Sequence, residues 1–272
     1  MTKRTAILIA SPTANTDKVQ STKELRGSFY DIDNWSTFLQ RPIGGCWNRN
    51  EIHDLSNSGS QRLFEVINQL NETDYVFFAY SGHGYNDGTD DYIFMDNGTK
   101  KVKVSDIIKE IYEANQSIKG TLIFDSCRIH LLNEKFVSLR GPLLPLNEGY
   151  LDELEKNARK DWDDAFSNSK TKGLVVIQTC KSGEESYMQP SGKVSVFSYH
   201  MANEGFETME PLNVGSAFKN AKDLTIAEVD GWHDPDKKQH PQCNLNYRLV
   251  DYPFSLGKHE SCLNAAAALV TQ

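Results

Sequence analysis

Short runs of apolar or aromatic residues, each stopped abruptly by polar ones, constrain this chain more than any other feature. "TAILIA" (5–10), "YVFFAY" (75–80), "TLIF" (121–124) and "LVVIQ" (174–178) show almost no alternation of apolar with polar residues. A strand that is apolar on both sides must be covered on both faces, as happens in a parallel sheet held between helices. "YIFM" (92–95) reads as a further strand. Parallel neighbours need long crossover connections, and helical spacing fills the gaps between the runs. Phe29, Ile32, Trp35, Phe38 and Leu39 make one stripe, and Leu63, Val66, Ile67 and Leu70 make another. Ile107, Ile108 and Ile111 make a third, with Ser105 expected as its N-cap. The expectation is an α/β fold with a mainly parallel sheet and helices on both faces.

Composition narrows the function. The 272 residues are read as a single domain, 1–272, with the most charged stretch from Asn147 to Lys172 taken as a surface helix or exposed linker. A net charge of -8 argues against nucleic acid as a partner, because phosphate-backbone binders present a basic face. No segment approaches the ~20 consecutive apolar residues of a membrane span. The apolar run in "MTKRTAILIASP" is shorter than the ~7–15 residues of a signal sequence, so it is read as the first strand. Five cysteines at scattered positions, with no CxxC pair, suit the reducing cytoplasm better than a disulfide framework or structural zinc.

Two of the apolar runs end in chemistry. "YVFFAY" leads into Ser81-Gly82-His83-Gly84, and "TLIF" into Asp125-Ser126-Cys127-Arg128. If the two strands are parallel neighbours, His83 and Cys127 meet at the carboxyl edge of the sheet, where open α/β sheets form their ligand crevices. There the imidazole can take the thiol proton and the thiolate can attack a carbonyl carbon. Gly82 and Gly84 let the main chain approach a scissile peptide. The amides of Gly84 and Cys127 are the expected oxyanion donors; removing one such donor costs ~10²–10³ in rate.

Here the sequence resembles a known family. "YSGHGYNDG" and "IFDSCR" are similar to the histidine and cysteine motifs of caspase-like peptidases, the clan of caspases, metacaspases and their prokaryotic relatives. "LRGSFYDIDNWSTFL" resembles the family's first-helix signature, and "GGCWNRNEIHDLSNSGSQRL" the segment leading to its second helix. "LVVIQTCKSGEESY", "VSVFSYHM" and "QHPQC" resemble its later strand, helix and terminal motifs, in family order. The resemblance implies a caspase fold with a six-stranded, mainly parallel sheet. It also implies His83 as base and general acid, Cys127 as nucleophile, and no third catalytic member. Asp-Ser-Cys is nearer the metacaspase than the caspase pattern, whereas Arg128-Ile129 departs from both.

Asp125 stands two residues before Cys127, so on an extended strand both side chains point to one face. A carboxylate there would attract Arg or Lys at the P1 position and repel Asp, and the resemblance to metacaspases implies the same pocket. The resemblance adds Glu184 as a second substrate-binding wall. Cleavage after Arg or Lys is therefore expected, in protein or peptide substrates. The basic residues between about 140 and 172 (Arg140, Lys156, Arg159, Lys160, Lys170, Lys172) suggest self-cleavage of a linker, and an upstream activator or regulatory protein is the other route to activation. No cofactor or metal is expected. "NDGTDD" (86–91) holds three aspartates and raises calcium, but it lacks the spacing and the bidentate Glu of an EF-hand loop and reads as a turn. The alternative to an endopeptidase is a caspase-like binding or regulatory module with little catalysis. Retention of both His83 and Cys127 argues against it.

Overall fold

The apolar runs become the middle of a six-stranded sheet. The structure is a computed structural model that describes residues 1–16, 19–21, 25–56, 58–128 and 151–258. The strands are β1 (Arg4–Ser11), β2 (Ile52–Asp54), β3 (Tyr75–Gly82), β4 (Lys119–Asp125), β5 (Leu174–Gln178) and β6 (Gln242–Cys243). Across the sheet they lie in the order β6-β5-β4-β3-β1-β2. Every neighbouring pair is parallel except β5 and β6. The expected fold class is the one observed.

Side-chain alternation sends each strand's residues into two separate cores. Ala6, Leu8, Ala10, Tyr75, Phe77, Ala79, Ile123, Val175 and Ile177 face one side. That layer is closed by α1 (Gly27–Gln40), α4 (Leu151–Asn168), α5 (Val196–Glu207) and α6 (Val214–Asp230). Ile7, Ile9, Val76, Phe78, Tyr80, Leu122, Phe124, Leu174 and Val176 face the other, against α2 (Ser60–Ile67) and α3 (Val104–Ala114). This two-sided burial is why the strands are apolar throughout.

The structure sharpens two local readings and overturns the expected Ser105 cap. Tyr92–Met95 lies outside the main sheet, in a three-stranded antiparallel unit built from Gly84–Asn86, Asp91–Met95 and Lys100–Lys103. Ser105 does not cap α3: the helix starts at Val104 with Lys103 at the cap position, and the Ser105 hydroxyl lies 3.4 Å from Asp90 Oδ1. The charged stretch near 147–172 contains α4, which docks rather than dangles. Its Ala158, Trp162 and Phe166, spaced four apart, are buried. The buried Arg4 guanidinium lies 4.7 Å from the Trp162 ring and 5.1 Å from the Trp47 ring. Arg159 pairs with Glu51 at 2.8 Å on the same flank. Among the described residues no helix is long and apolar enough to cross a membrane.

Candidate active site

The register between β3 and β4 sets the site. The strands are parallel and Ser81 is level with Asp125, so two residues further along each chain His83 and Cys127 arrive at one rim. Gly84 brings the two loops together. A Cβ on it would lie 2.6 Å from Ser126 Oγ and 2.7 Å from Ser126 Cβ. Gly82 permits a second close approach, since a Cβ there would stand 2.2 Å from the Ser11 carbonyl oxygen.

His83 is buried, at 5% exposure, and its main chain is held from both sides. Its N–H donates to the Ser11 carbonyl at 3.2 Å, and its carbonyl accepts from Phe94 N–H at 3.3 Å. The Tyr80 hydroxyl donates to the same carbonyl at 2.6 Å. Cys127 is half-buried, and its thiol donates to the Ser186 carbonyl at 3.6 Å.

Beneath this rim lies a buried polar cluster on the α1 and α5 side of the sheet. Asp125 is 3% exposed and accepts four hydroxyl hydrogen bonds. Thr179 and Ser186 reach one carboxylate oxygen at 2.9 and 2.5 Å. Ser195 and Ser198 reach the other, Ser198 at 2.5 Å. Ser195 caps α5 by accepting from Ser198 N–H at 3.2 Å, so the helix start and the carboxylate share one side chain. A second carboxylate, Asp31 of α1, is 1% exposed. It accepts from Ser81 Oγ at 2.6 Å and from Ser195 N–H at 3.0 Å. Burial and then the neighbouring charge of Asp125 push the Asp31 carboxyl well above the usual carboxylate range, against the pull of its hydrogen bonds from Ser81 and Ser195. The hydrogen bonds described here reach the two carboxylates from hydroxyl groups and one main-chain N–H.

A family model for the caspase domain matches residues 3–249. The chain belongs to the caspase-domain family. The match makes it a cysteine-type endopeptidase, a class whose substrates are proteins. Among solved structures, caspase-1 from Spodoptera frugiperda shares the fold, with a TM-score of 0.58 and 13% identity over 96% of this chain and 92% of that one. No curated protein matches the sequence.

Glu184 sits differently from the sequence expectation. Glu184 does not join Asp125 in the polar cluster. Its two carboxylate oxygens are taken by His240, at 2.7 Å from the ring nitrogen and 2.8 Å from the main-chain N–H. Its carbonyl accepts from Arg128 N–H at 2.9 Å. It therefore braces the loop that follows Cys127. The loop 230–240 is anchored as well: Gln239 is 1% exposed and donates to the Thr179 carbonyl at 3.0 Å. The three aspartates of 86–91 are each occupied. Asp87 accepts the turn amides of Thr89 and Asp90 at 2.9 and 2.8 Å, Asp90 pairs with Lys103 at 2.8 Å, and Asp91 pairs with Arg128 at 2.7 Å. Among the described residues no group of three or more His, Cys, Asp or Glu could hold a metal ion.

Sequence reasoning missed Asp31. The signal was there: it lies four residues before Trp35 and seven before Phe38, on the apolar stripe of its helix, where a carboxylate needs a reason to be.

Proposed function

We propose that this caspase domain hydrolyses peptide bonds after Arg or Lys, with Cys127 as nucleophile and His83 as base and then acid. His83 takes the thiol proton, and the sulfur attacks the carbonyl carbon. The carbonyl oxygen becomes an oxyanion met by the amides of Gly84 and Cys127. As the tetrahedral species collapses, the C–N bond breaks and His83 returns the proton to the leaving amine. Water, deprotonated by the same imidazole, then attacks the thioester. A second collapse releases the new carboxylate and restores the thiol.

The observation that carries the P1 assignment is the pair of buried carboxylates, Asp125 and Asp31, joined through Ser195 and held by the neutral donors of Thr179, Ser186, Ser198 and Ser81. Neutral donors offset only part of the cost of buried negative charge, and a guanidinium or ammonium arriving with the substrate would add an opposite charge. A charge pair ~4 Å apart at an effective dielectric of ~20 is worth about 4 kcal/mol before desolvation. A preference of about 10²-fold or more over uncharged P1 residues is therefore expected. Asp125 forms the floor of the pocket, Asp31 supports it from α1, and Glu184 buttresses the loop beside it.

Self-processing, in this reading, takes place before α4. Lys156, Arg159 and Lys160 lie within a docked helix, whose main chain cannot extend into a cleft. Lys170 and Thr171 N–H groups are pinned to Asp251 at 2.9 and 2.8 Å. Arg140 lies outside the described residues. Peptides differing only in Arg, Lys, Asp or Ala at P1 test the specificity. Arg and Lys should be cut fastest and Asp slowest; faster cleavage after Asp would overturn the assignment.

A further inference from the structure

Arg128, next to the nucleophile, belongs to no step described so far, yet few side chains in the structure are tied down more firmly. Its Nε and one terminal nitrogen grip both carboxylate oxygens of Asp91, at 2.8 and 2.7 Å. Its remaining nitrogen donates to the Cys180 carbonyl at 3.1 Å. The main chain is held too: Arg128 N–H donates to the Glu184 carbonyl, and its own carbonyl accepts from Gly183 N–H, both at 2.9 Å. The two side chains are only 15% and 19% exposed, so water screens the pair weakly.

Asp91 is what gives this clamp its reach. It opens the strand that pairs with Gly84–Asn86, with Gly84 level with Ile93 and Asn86 level with Asp91. Asn86 also donates to an Asp91 carboxylate oxygen at 2.8 Å. One carboxylate thus holds the segment leaving His83 by a short hairpin and the residue following Cys127 by a planar fork. A two-bond Arg–carboxylate pair fixes both distance and orientation, which a lysine in place of Arg128 would not.

We propose that the Arg128–Asp91 pair is a positioning device for the reaction, setting the separation of the imidazole and the sulfur without touching substrate. It rests on the catalytic reading above. A positioning pair acts on the transition state and leaves substrate affinity nearly alone, because the P1 cluster is built from different residues.

The test is a double-mutant cycle in the full chain with a P1-Arg peptide: Asp91→Asn, Arg128→Met, and both together, with Cys127→Ser as the blank. Each single variant should lose at least tenfold in kcat while KM stays within about twofold. The double variant should lose no more than the worse single one, as residues acting as a unit do. Melting curves report folding, and Arg128→Lys, which keeps the charge and loses the fork, supplies a variant expected to fold if the others do not; it should lose kcat to a smaller extent. An active wild type whose Asp91→Asn and Arg128→Lys variants keep full kcat, with any loss in kcat/KM coming from KM alone, overturns the clamp alone. A wild type no faster than Cys127→Ser overturns the catalytic reading and the clamp with it.

Discussion

Adding one methyl group at Gly84 should separate the two halves of the site. In Gly84→Ala the new Cβ would lie 2.7 Å from Ser126 Cβ, 2.6 Å from its Oγ and 2.9 Å from the Tyr92 carbonyl oxygen. Carbon atoms settle no closer than about 3.5 Å. A rotation of the Ser126 hydroxyl relieves one contact, but its Cβ and the Tyr92 main chain cannot rotate away. The histidine loop and the cysteine loop must therefore part by about 0.8 Å, the difference between the ordinary and the imposed separation. A displacement near 1 Å at reacting atoms costs about 10²-fold in rate, equivalent to ~2.7 kcal/mol in the barrier. Overpacking should also lower stability by about 1–3 kcal/mol. The assay is kcat/KM for a P1-Arg peptide, corrected for folded enzyme by the melting transition. Gly84→Ala with Ser126→Gly removes the largest part of the clash and should recover much of the loss. A single variant within twofold of wild type would refute the close approach, as would a double variant no better than the single one.

Two further outcomes follow from the buried cluster and from α4. Asp31→Asn should raise KM for P1-Arg peptides about tenfold with little change in kcat, because an arriving guanidinium draws the Asp31 carboxyl into its charged form and an amide cannot answer it. Its effect on stability should depend on pH: a carboxyl held above its ordinary value binds a proton in the folded state where the unfolded chain has lost it, so wild type loses stability as pH climbs through and beyond pH ~4. The Asn variant escapes that loss, so melting temperatures from pH 4 to 8 should move in its favour; a shift in wild type's favour with rising pH would contradict this. Second, if the enzyme processes itself, new amino termini mapped by mass spectrometry should fall before Leu151. Termini at the residues following Lys156, Arg159 or Lys160 would contradict the docked helix.

Much of this arrangement can be read from the sequence because parallel strands buried on both faces leave an unmistakable apolar run, and such strands deliver their next residues to a common edge. The meeting of His83 and Cys127 at one rim was legible for that reason. The edges were not: β2 has three residues and β6 two, too short for any periodicity to register. Helix α6 buries Ala217, Ala221 and Thr225 as well as Phe218, and small side chains mark a core face poorly. Ser105 failed as a cap because Val104, which is buried, already belongs to the helix. Glu184 was drawn toward the substrate by the family resemblance, but the loop containing His240 arrives from 56 residues away to take it. Asp31 illustrates the opposite case: a carboxylate on a core stripe is a visible conflict, and such conflicts between levels mark functional sites.

The decisive measurement is covalent capture. A peptidyl-arginine fluoromethyl ketone, incubated with the full chain and followed by peptide mass spectrometry, should form an adduct on Cys127 in wild type and none in His83→Ala. Labelling at another cysteine, or undiminished labelling of Cys127 without the imidazole, would contradict the partnership of the two strand ends.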